Sequence, residues 1–222
     1  MKIFLLGSAL ITGAWVGIVL DPIARRLAAY FVADINDGIP FQPWHSPHRC
    51  RYVASSTALL ALWLVITVPT PLLPLALLLA CYLTLLSLID IDALLLPDLF
   101  TYPLAIAALG AAYWGYAIVS WPDALAGWIV SYSVLSLING IASALIGHDA
   151  FGQGDSKLGA ALCAWLGWQL LPSLLLIAGV IALPALLLFR RAGRKYFAFG
   201  PCLALASLLI LPWHAPLSIL FQ

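Results

Sequence analysis

The sequence predicts an all-α protein, a polytopic transmembrane bundle of about eight helices, on three observations. Hydrophobic residues make up 64% of the chain and charged residues only 9%, against roughly half and a quarter in a soluble domain. Apolar stretches that approach or exceed the roughly 20 residues of a bilayer crossing recur along the chain. Nearly all the charge falls between those stretches. In hydrocarbon a backbone must satisfy its own hydrogen bonds, and apolar runs of this kind do so as helices. The composition leaves no room for a sizeable soluble domain, and a net charge of +1 gives no footing for nucleic acid.

In order, the apolar stretches lie at about 3–20, 53–69, 72–90, 100–120, 122–145, 158–189 and 199–218. The first is followed by Arg25 and Arg26 without a small-residue cleavage site, so it reads as a retained span rather than a secretory signal. Residues 21–52 hold Asp21, Asp34, Asp37, Gly38, Pro40, Pro43 and Pro47, and read as a polar, turn-rich cytoplasmic loop within a single membrane domain, 1–222. Positive residues prefer the cytoplasmic side. Arg25, Arg26, Arg49, Arg51, Lys157, Arg190, Arg191, Arg194 and Lys195 share that side if the first helix runs inward. Lys157 and Arg190 then require two crossings between them, of roughly 16 residues each, with a turn near Trp168 to Pro172. That makes eight helices and places two polar islands, 90–101 and 147–157, on the cytoplasmic side. Cys50, Cys81, Cys163 and Cys202 are far apart, three of them inside apolar runs, so they read as small hydrophobes and not as a disulfide framework.

The chain contains no Glu, so any carboxylate chemistry belongs to one of its 9 aspartates. Asp90 closes the apolar run that starts at Cys81, a costly place for a charge. A lone aspartate at such a boundary is more often a helix cap. Asp90 has a counterpart downstream, in Asp149-Ala-Phe-Gly152-Gln-Gly154-Asp155-Ser-Lys157. The two glycines are expected to let the backbone bend tightly and deliver Asp155 to the start of the next apolar run. Two such carboxyls sharing one proton form a pair that activates water and hydrolyses amides, and the pair titrates as a unit.

Asp90-Ile-Asp92-Ala-Leu-Leu-Leu96-Pro97-Asp98, taken with Gly152-Gln-Gly154-Asp155-Ser-Lys157-Leu158, resembles the two signature regions of the type IV prepilin peptidases, membrane aspartic peptidases of the GxGD type. The resemblance runs over about residues 80–210, through Ala164-Trp165-Leu166-Gly167-Trp168 and Ala198-Phe199-Gly200-Pro201. It implies that Asp90 and Asp155 are catalytic. Asp92 competes with Asp90, but the GxGD pattern has an aspartate, six residues and then a proline, as from Asp90 to Pro97. Asp98 reads as the end of the loop or the start of the fourth helix. Lys157 reads as an interfacial anchor or as a group that holds a lipid phosphate or tunes the pair. Asp149 stands where the family has Glu.

The resemblance implies a substrate with a short basic cytoplasmic leader ahead of an apolar helix, a prepilin or a type II secretion pseudopilin, cut at the cytoplasmic face of a bacterial inner membrane. Close approach of that helix is eased by small residues such as Gly127, Ser131 and Gly140, or these serve the protein's own packing. The chain departs from the longer family members in lacking two CxxC pairs in the first loop and a Gly-Ser-Phe-Leu-Asn motif, of which Gly13-Ala-Trp-Val-Gly17 is a faint echo. His45, His48 and Cys50 lack the paired spacing of a zinc site, so no metal is expected. Cleavage is expected to need no cofactor, with S-adenosylmethionine required only if N-methylation is retained. The rival readings are a proton-coupled transporter, which calls for acids nearer mid-membrane, and a catalytically silent assembly factor.

Overall fold

The computed structural model describes residues 2–35, 48–146, 152–191 and 197–220. Among them are eight α-helices and one 3-10 turn, as the sequence predicts. They group into two units, residues 1–95 and 96–222.

The first unit packs α1 (Lys2–Ile35), α2 (Arg49–Thr67) and α3 (Leu73–Ala93). Between α1 and α2 the driving force is close approach at small residues, since apolar side chains gain little from leaving lipid for one another. A Cβ on Gly13 would stand 2.8 Å from the Ala58 Cα, and one on Gly17 would stand 2.3 Å from the Thr57 Oγ1. Thr57 donates its hydroxyl to the Gly13 carbonyl at 2.7 Å, across the contact.

The expected loop at 21–52 is corrected at both ends. α1 continues through Pro22 to Ile35, and α2 begins at Arg49; residues 36–47 lie outside the described residues. Asp21 and Arg25, two of the charges that suggested a loop, are paired inside the helices. Asp21 accepts from Arg25 one turn on at 2.8 Å and from Arg49 at 2.6 Å. α3 ends where Leu94 turns left-handed, φ 53°, and donates its N–H to the Asp90 carbonyl at 2.8 Å.

The second unit contains α4 (Asp98–Tyr113), α5 (Trp121–Ile146), α6 (Gln153–Leu166), a 3-10 turn (Trp168–Leu170), α7 (Leu171–Arg191) and α8 (Gly200–Leu220). Its centre is α6, buried at every residue from Leu158 to Leu166 and packed against α4, α5 and α8. With 14 residues it is about 21 Å long, well short of a 30 Å hydrocarbon core. α5 runs antiparallel to it: a Cβ on Gly127 would meet the Cys163 carbonyl at 2.2 Å, and one on Gly159 would meet Leu135 at 2.6 Å. α4 runs parallel to it, with Leu96 against Gly154 at one end and the Trp165 indole donating to the Leu104 carbonyl at 3.2 Å at the other.

The 158–189 stretch divides where expected: α6 stops at Leu166, Gly167 takes φ +93°, and α7 starts at Leu171. The 100–120 stretch stops early, at Tyr113. A glycine cap explains this. Gly115 has φ +74° and donates to Ala112 at 3.3 Å, while Tyr116 reaches back to Ala111 at 2.8 Å, satisfying the last carbonyls of α4. Five helical segments, Leu6–Ala33, Arg49–Thr67, Leu73–Ala93, Trp121–Leu145 and Trp168–Leu187, are long and apolar enough to cross a membrane. The chain is a multi-pass membrane protein.

The glycine seam gives a direct test. Gly17→Val forces a methyl group into the Thr57 hydroxyl and is expected to cost about 1–3 kcal/mol, seen as lower membrane accumulation and a lower melting temperature in detergent. Gly7→Val, on the same helix with nothing within 4 Å of its Cβ, is expected to leave both unchanged.

Candidate active site

The first aspartate motif lies in the last turn of α3. Asp90 is 5% exposed and Asp92 1%. Two residues apart on a helix, they project about 200° from each other around the axis. Arg49, itself fully buried, donates to both oxygens of Asp92 at 2.5 and 2.7 Å, and through Nε to Asp21. The planar guanidinium fork matches the carboxylate, and three helices are tied at one point. Asp92 is therefore held as the counter-ion of a buried cation.

Arg49 was legible in the sequence only as a marker of membrane sidedness, and the structure gives it a different task. A charge inventory carries the missing signal: acids inside or beside apolar runs, such as Asp21 and Asp92, need a buried cation, and Arg49 heads the run that becomes α2.

The second motif opens α6. Gly152 is its N-cap, with φ −63° and ψ 137°, and its carbonyl accepts from the N–H of Asp155 at 3.1 Å and of Ser156 at 3.3 Å. This corrects the expectation of a tight glycine bend, because any residue adopts that backbone. The glycines supply space instead. A Cβ on Gly152 would come within 3.1 Å of the Asp155 Oδ2, and one on Gly154 within 2.9 Å of the Leu96 Cβ. Gly152 makes room for the carboxylate, and Gly154 lets α6 close on the segment that leads into α4. Asp155 sits half-buried in the first turn.

Pro97, extended at φ −64° and ψ 136°, caps α4 as Gly152 caps α6. Asp98 follows in the first turn, where a negative charge suits the helix end, and accepts Lys157 Nζ at 2.6 and 2.7 Å. The pair joins the starts of α4 and α6. Asp98 thus starts the fourth helix, one of its two expected roles, and that bond raises the Lys157 amine above its ordinary value. Asp149, Asp37 and His45 lie outside the described residues, while His48 and Cys50 are exposed beside the start of α2. Gly127 and the fully buried Ser131 serve packing inside the second unit; Gly140 has open space around it. Asp90 and Asp155 stand at helix ends, not at mid-helix as a proton relay would require, and nothing favours the transporter or silent-factor readings.

Removing Arg49 leaves two buried carboxylates without a counter-ion. Arg49→Met is expected to destabilise the protein by about 3–5 kcal/mol, read as lost accumulation, and adding Asp21→Asn and Asp92→Asn is expected to recover much of it. Wild-type yield of the single variant would show the cluster to be dispensable. The Lys157–Asp98 pair, partly solvated, should show a coupling below about 1 kcal/mol in a double-mutant cycle. A raised lysine value means that this contribution is complete below the unfolded value of about 10.4 and fades as pH rises through the folded one. The coupling should therefore be flat from about pH 6 to about pH 9 and vanish only in stronger alkali, in melting curves of wild type, Lys157→Met, Asp98→Asn and the double variant.

Residues 77–187 match the type IV leader peptidase family. A prepilin leader peptidase/N-methyltransferase of Aeromonas hydrophila is 40% identical over 142 residues, 62% of this chain and 49% of that protein. The protein of the same name from Neisseria gonorrhoeae is 38% identical over 134 residues, 60% of this chain and 46% of its own length. That from Escherichia coli strain K12 is 39% identical over 143 residues, 62% of each chain. The chain spans about half the length of the first two. No solved structure matches. The family match takes in half the chain and both aspartate motifs, from Asp90 to Asp98 and from Gly152 to Lys157, and the chain belongs to the type IV leader peptidase family.

Proposed function

We propose that the protein is an aspartic endopeptidase that removes the short basic leader from type IV prepilins or type II secretion pseudopilins, with Asp90 and Asp155 as its catalytic pair. One observation carries the reading furthest. Six residues of chain lead from Asp90 to Leu96, and Leu96 packs on Gly154, the neighbour of Asp155. Both aspartates stand at helix ends inside the family match.

In this reading one carboxyl is protonated and the other ionised. The ionised one takes a proton from water as its oxygen attacks the scissile carbonyl. The protonated one donates to the carbonyl oxygen. The resulting gem-diol collapses as a proton passes to the amide nitrogen, the C–N bond breaks, and a new carboxyl and a new amine are released. Asp92 takes no part, because Arg49 holds both its oxygens. The Lys157–Asp98 pair supports the site by holding the start of α6 against α4.

The reading places the protein in a bacterial inner membrane, its exposed apolar faces against lipid and its aspartates at the cytoplasmic rim. Cleavage needs no cofactor. Methyl transfer, named for the relatives, forms no part of the proposal.

Membranes holding wild type, Asp90→Asn, Asp92→Asn or Asp155→Asn, with a prepilin-like or pseudopilin-like substrate, test the reading. Asp90→Asn and Asp155→Asn should accumulate normally and lose activity by at least about a hundredfold. Asp92→Asn should lower accumulation, with the remaining folded protein still active. Loss of chemistry in Asp92→Asn with Asp90→Asn active would exchange their roles, and a wild type that cuts neither substrate would overturn the reading.

A further inference from the structure

α5 turns one face to α6, and that face carries an amide where packing alone calls for an apolar side chain. The buried positions along α5 are Ala124, Gly127, Ser131, Leu135 and Asn139. Ile138 and Ile141, near the last of them, are 49% and 55% exposed, so Asn139 is turned inward with the others. Burying an amide costs free energy unless it is hydrogen-bonded, and an apolar residue would complete the face at no such cost. Asn139 therefore has a bond to make.

Helix register identifies the partner. Across the contact between the two helices, Ser131 lies against the Cys163 thiol, and a Cβ on Gly159 would meet the Leu135 side chain at 2.6 Å. Each advance of four residues along α5 is thus a retreat of four along the antiparallel α6. The same step, taken from the Leu135–Gly159 contact, pairs Asn139 with Asp155. Residues four apart lie one above the other on a helix face, so Asp155 belongs to the face that Gly159 turns to α5. Ser156, next to it in the same turn, is not the partner, because its hydroxyl is buried and makes no hydrogen bond among the described residues. The direction of the amide agrees. Ser143 donates its hydroxyl to the Asn139 Oδ1 at 3.4 Å, which makes the NH2 group the end that donates.

We propose that Asn139 is a positioning residue for Asp155, its carboxamide donating a hydrogen bond across the α5–α6 contact to the Asp155 carboxylate. The inference rests on the peptidase reading and adds to it which acid is the base. An N–H aimed at a carboxylate fixes its direction and favours its charged form. Asp155 is then the ionised member of the pair, which takes the proton from water, and Asp90 the protonated one, which donates to the scissile carbonyl. The other groups near this end of α6 are accounted for. Lys157 is bound to Asp98 of α4 at 2.6 and 2.7 Å, with the Tyr102 ring beside it. Tyr132 of α5 is about two turns from Asn139, and the titratable side chains of α8 are Cys202 and His214. Among the described residues of α5, Asn139 alone is both polar and buried at the level of Asp155.

The test measures kcat and KM against pH for leader removal from a prepilin-like protein, in wild type, Asn139→Leu, Asn139→Gln and, as a control on the same face, Ser131→Ala. Asn139→Leu keeps the size and loses the donor. It should lower kcat about tenfold, the worth of one hydrogen bond to a charged group, and leave KM unchanged. The acid limb of kcat should move up by about one pH unit, because Asp155 has to be ionised to take the proton. Asn139→Gln, which keeps the amide, should recover part of the rate and the wild-type limb, and Ser131→Ala should match wild type. A packing role alone would lower the accumulation of Asn139→Leu and leave the limb in place. The register is read without activity, in a chain whose four native cysteines are replaced by alanine. There Asn139→Cys with Asp155→Cys should be joined by a short bis-maleimide, seen by mass spectrometry of the digested protein, and Ile138→Cys with Asp155→Cys should not. Should Asn139→Leu fail to accumulate, the cross-link decides. An unmoved limb in Asn139→Leu, or no cross-link, overturns the role of Asn139, and the peptidase reading stands if wild type cuts and Asp155→Asn does not. A wild type that cuts no such substrate removes both.

Discussion

A guanidinium placed where water cannot reach it has to be surrounded by carboxylates, and Arg49 organises the first unit on that condition. Its fork closes on Asp92 of α3, its Nε on Asp21 of α1, and Asp21 shares its other oxygen with Arg25. Replacing the cluster with apolar residues would be no loss in stability by itself, since desolvation consumes most of the attraction. What the cluster supplies is registry: α1, α2 and α3 can slide past one another only by separating opposite charges in an apolar setting. The last turn of α3 is thereby fixed, and Asp90 is in that turn.

The second unit is fixed by space rather than charge. α6 is shorter than a hydrocarbon core is thick and is buried from Leu158 to Leu166, so its position is set by how closely its neighbours approach. Missing side chains set those distances. Gly127 lies against the Cys163 carbonyl, Gly159 against Leu135, and Gly154 against Leu96. The same device joins α1 to α2 at Gly13 and Gly17. In lipid, where apolar contact offers little net gain, removing a Cβ is the main way to bring two backbones together. The glycines next to Asp155 belong to this scheme, one serving the helix contact and the other the carboxylate.

The helix count, the break near Gly167 and both aspartate motifs were legible in the sequence, because length, apolarity and glycine–proline punctuation act locally. What was not legible depends on contacts distant in sequence. The charges at Asp21 and Arg25 read as a loop because a sequence shows no partner 28 residues away, and Arg49 is that partner. The end of α4 at Tyr113 was missed because the surrounding residues are as apolar as the helix; only the left-handed Gly115 betrays it. Asp90 and Asp92 are equivalent as residue types, and the choice between them rested on spacing to Pro97. The cavity lined by Thr101, Tyr102, Trp128, Ile129, Tyr132, Ser133 and Lys157 has no sequence signature, since its residues come from three helices and none is charged except Lys157.

Under the proposed mechanism the two aspartates of the first motif divide labour within one short segment. Helical geometry alone separates Asp90 from Asp92, because residues two apart cannot share a face. An acid clamped by a bidentate arginine is held in one orientation with both oxygens engaged, which suits it to bind helices together. Water-activating chemistry requires a carboxyl whose charge changes during the reaction. Within this motif the two requirements exclude each other at a single residue. In the proposed mechanism the site needs both, a fixed acid to hold the turn and a second one to work, and the spacing of Asp90 and Asp92 would provide them on different faces of one turn.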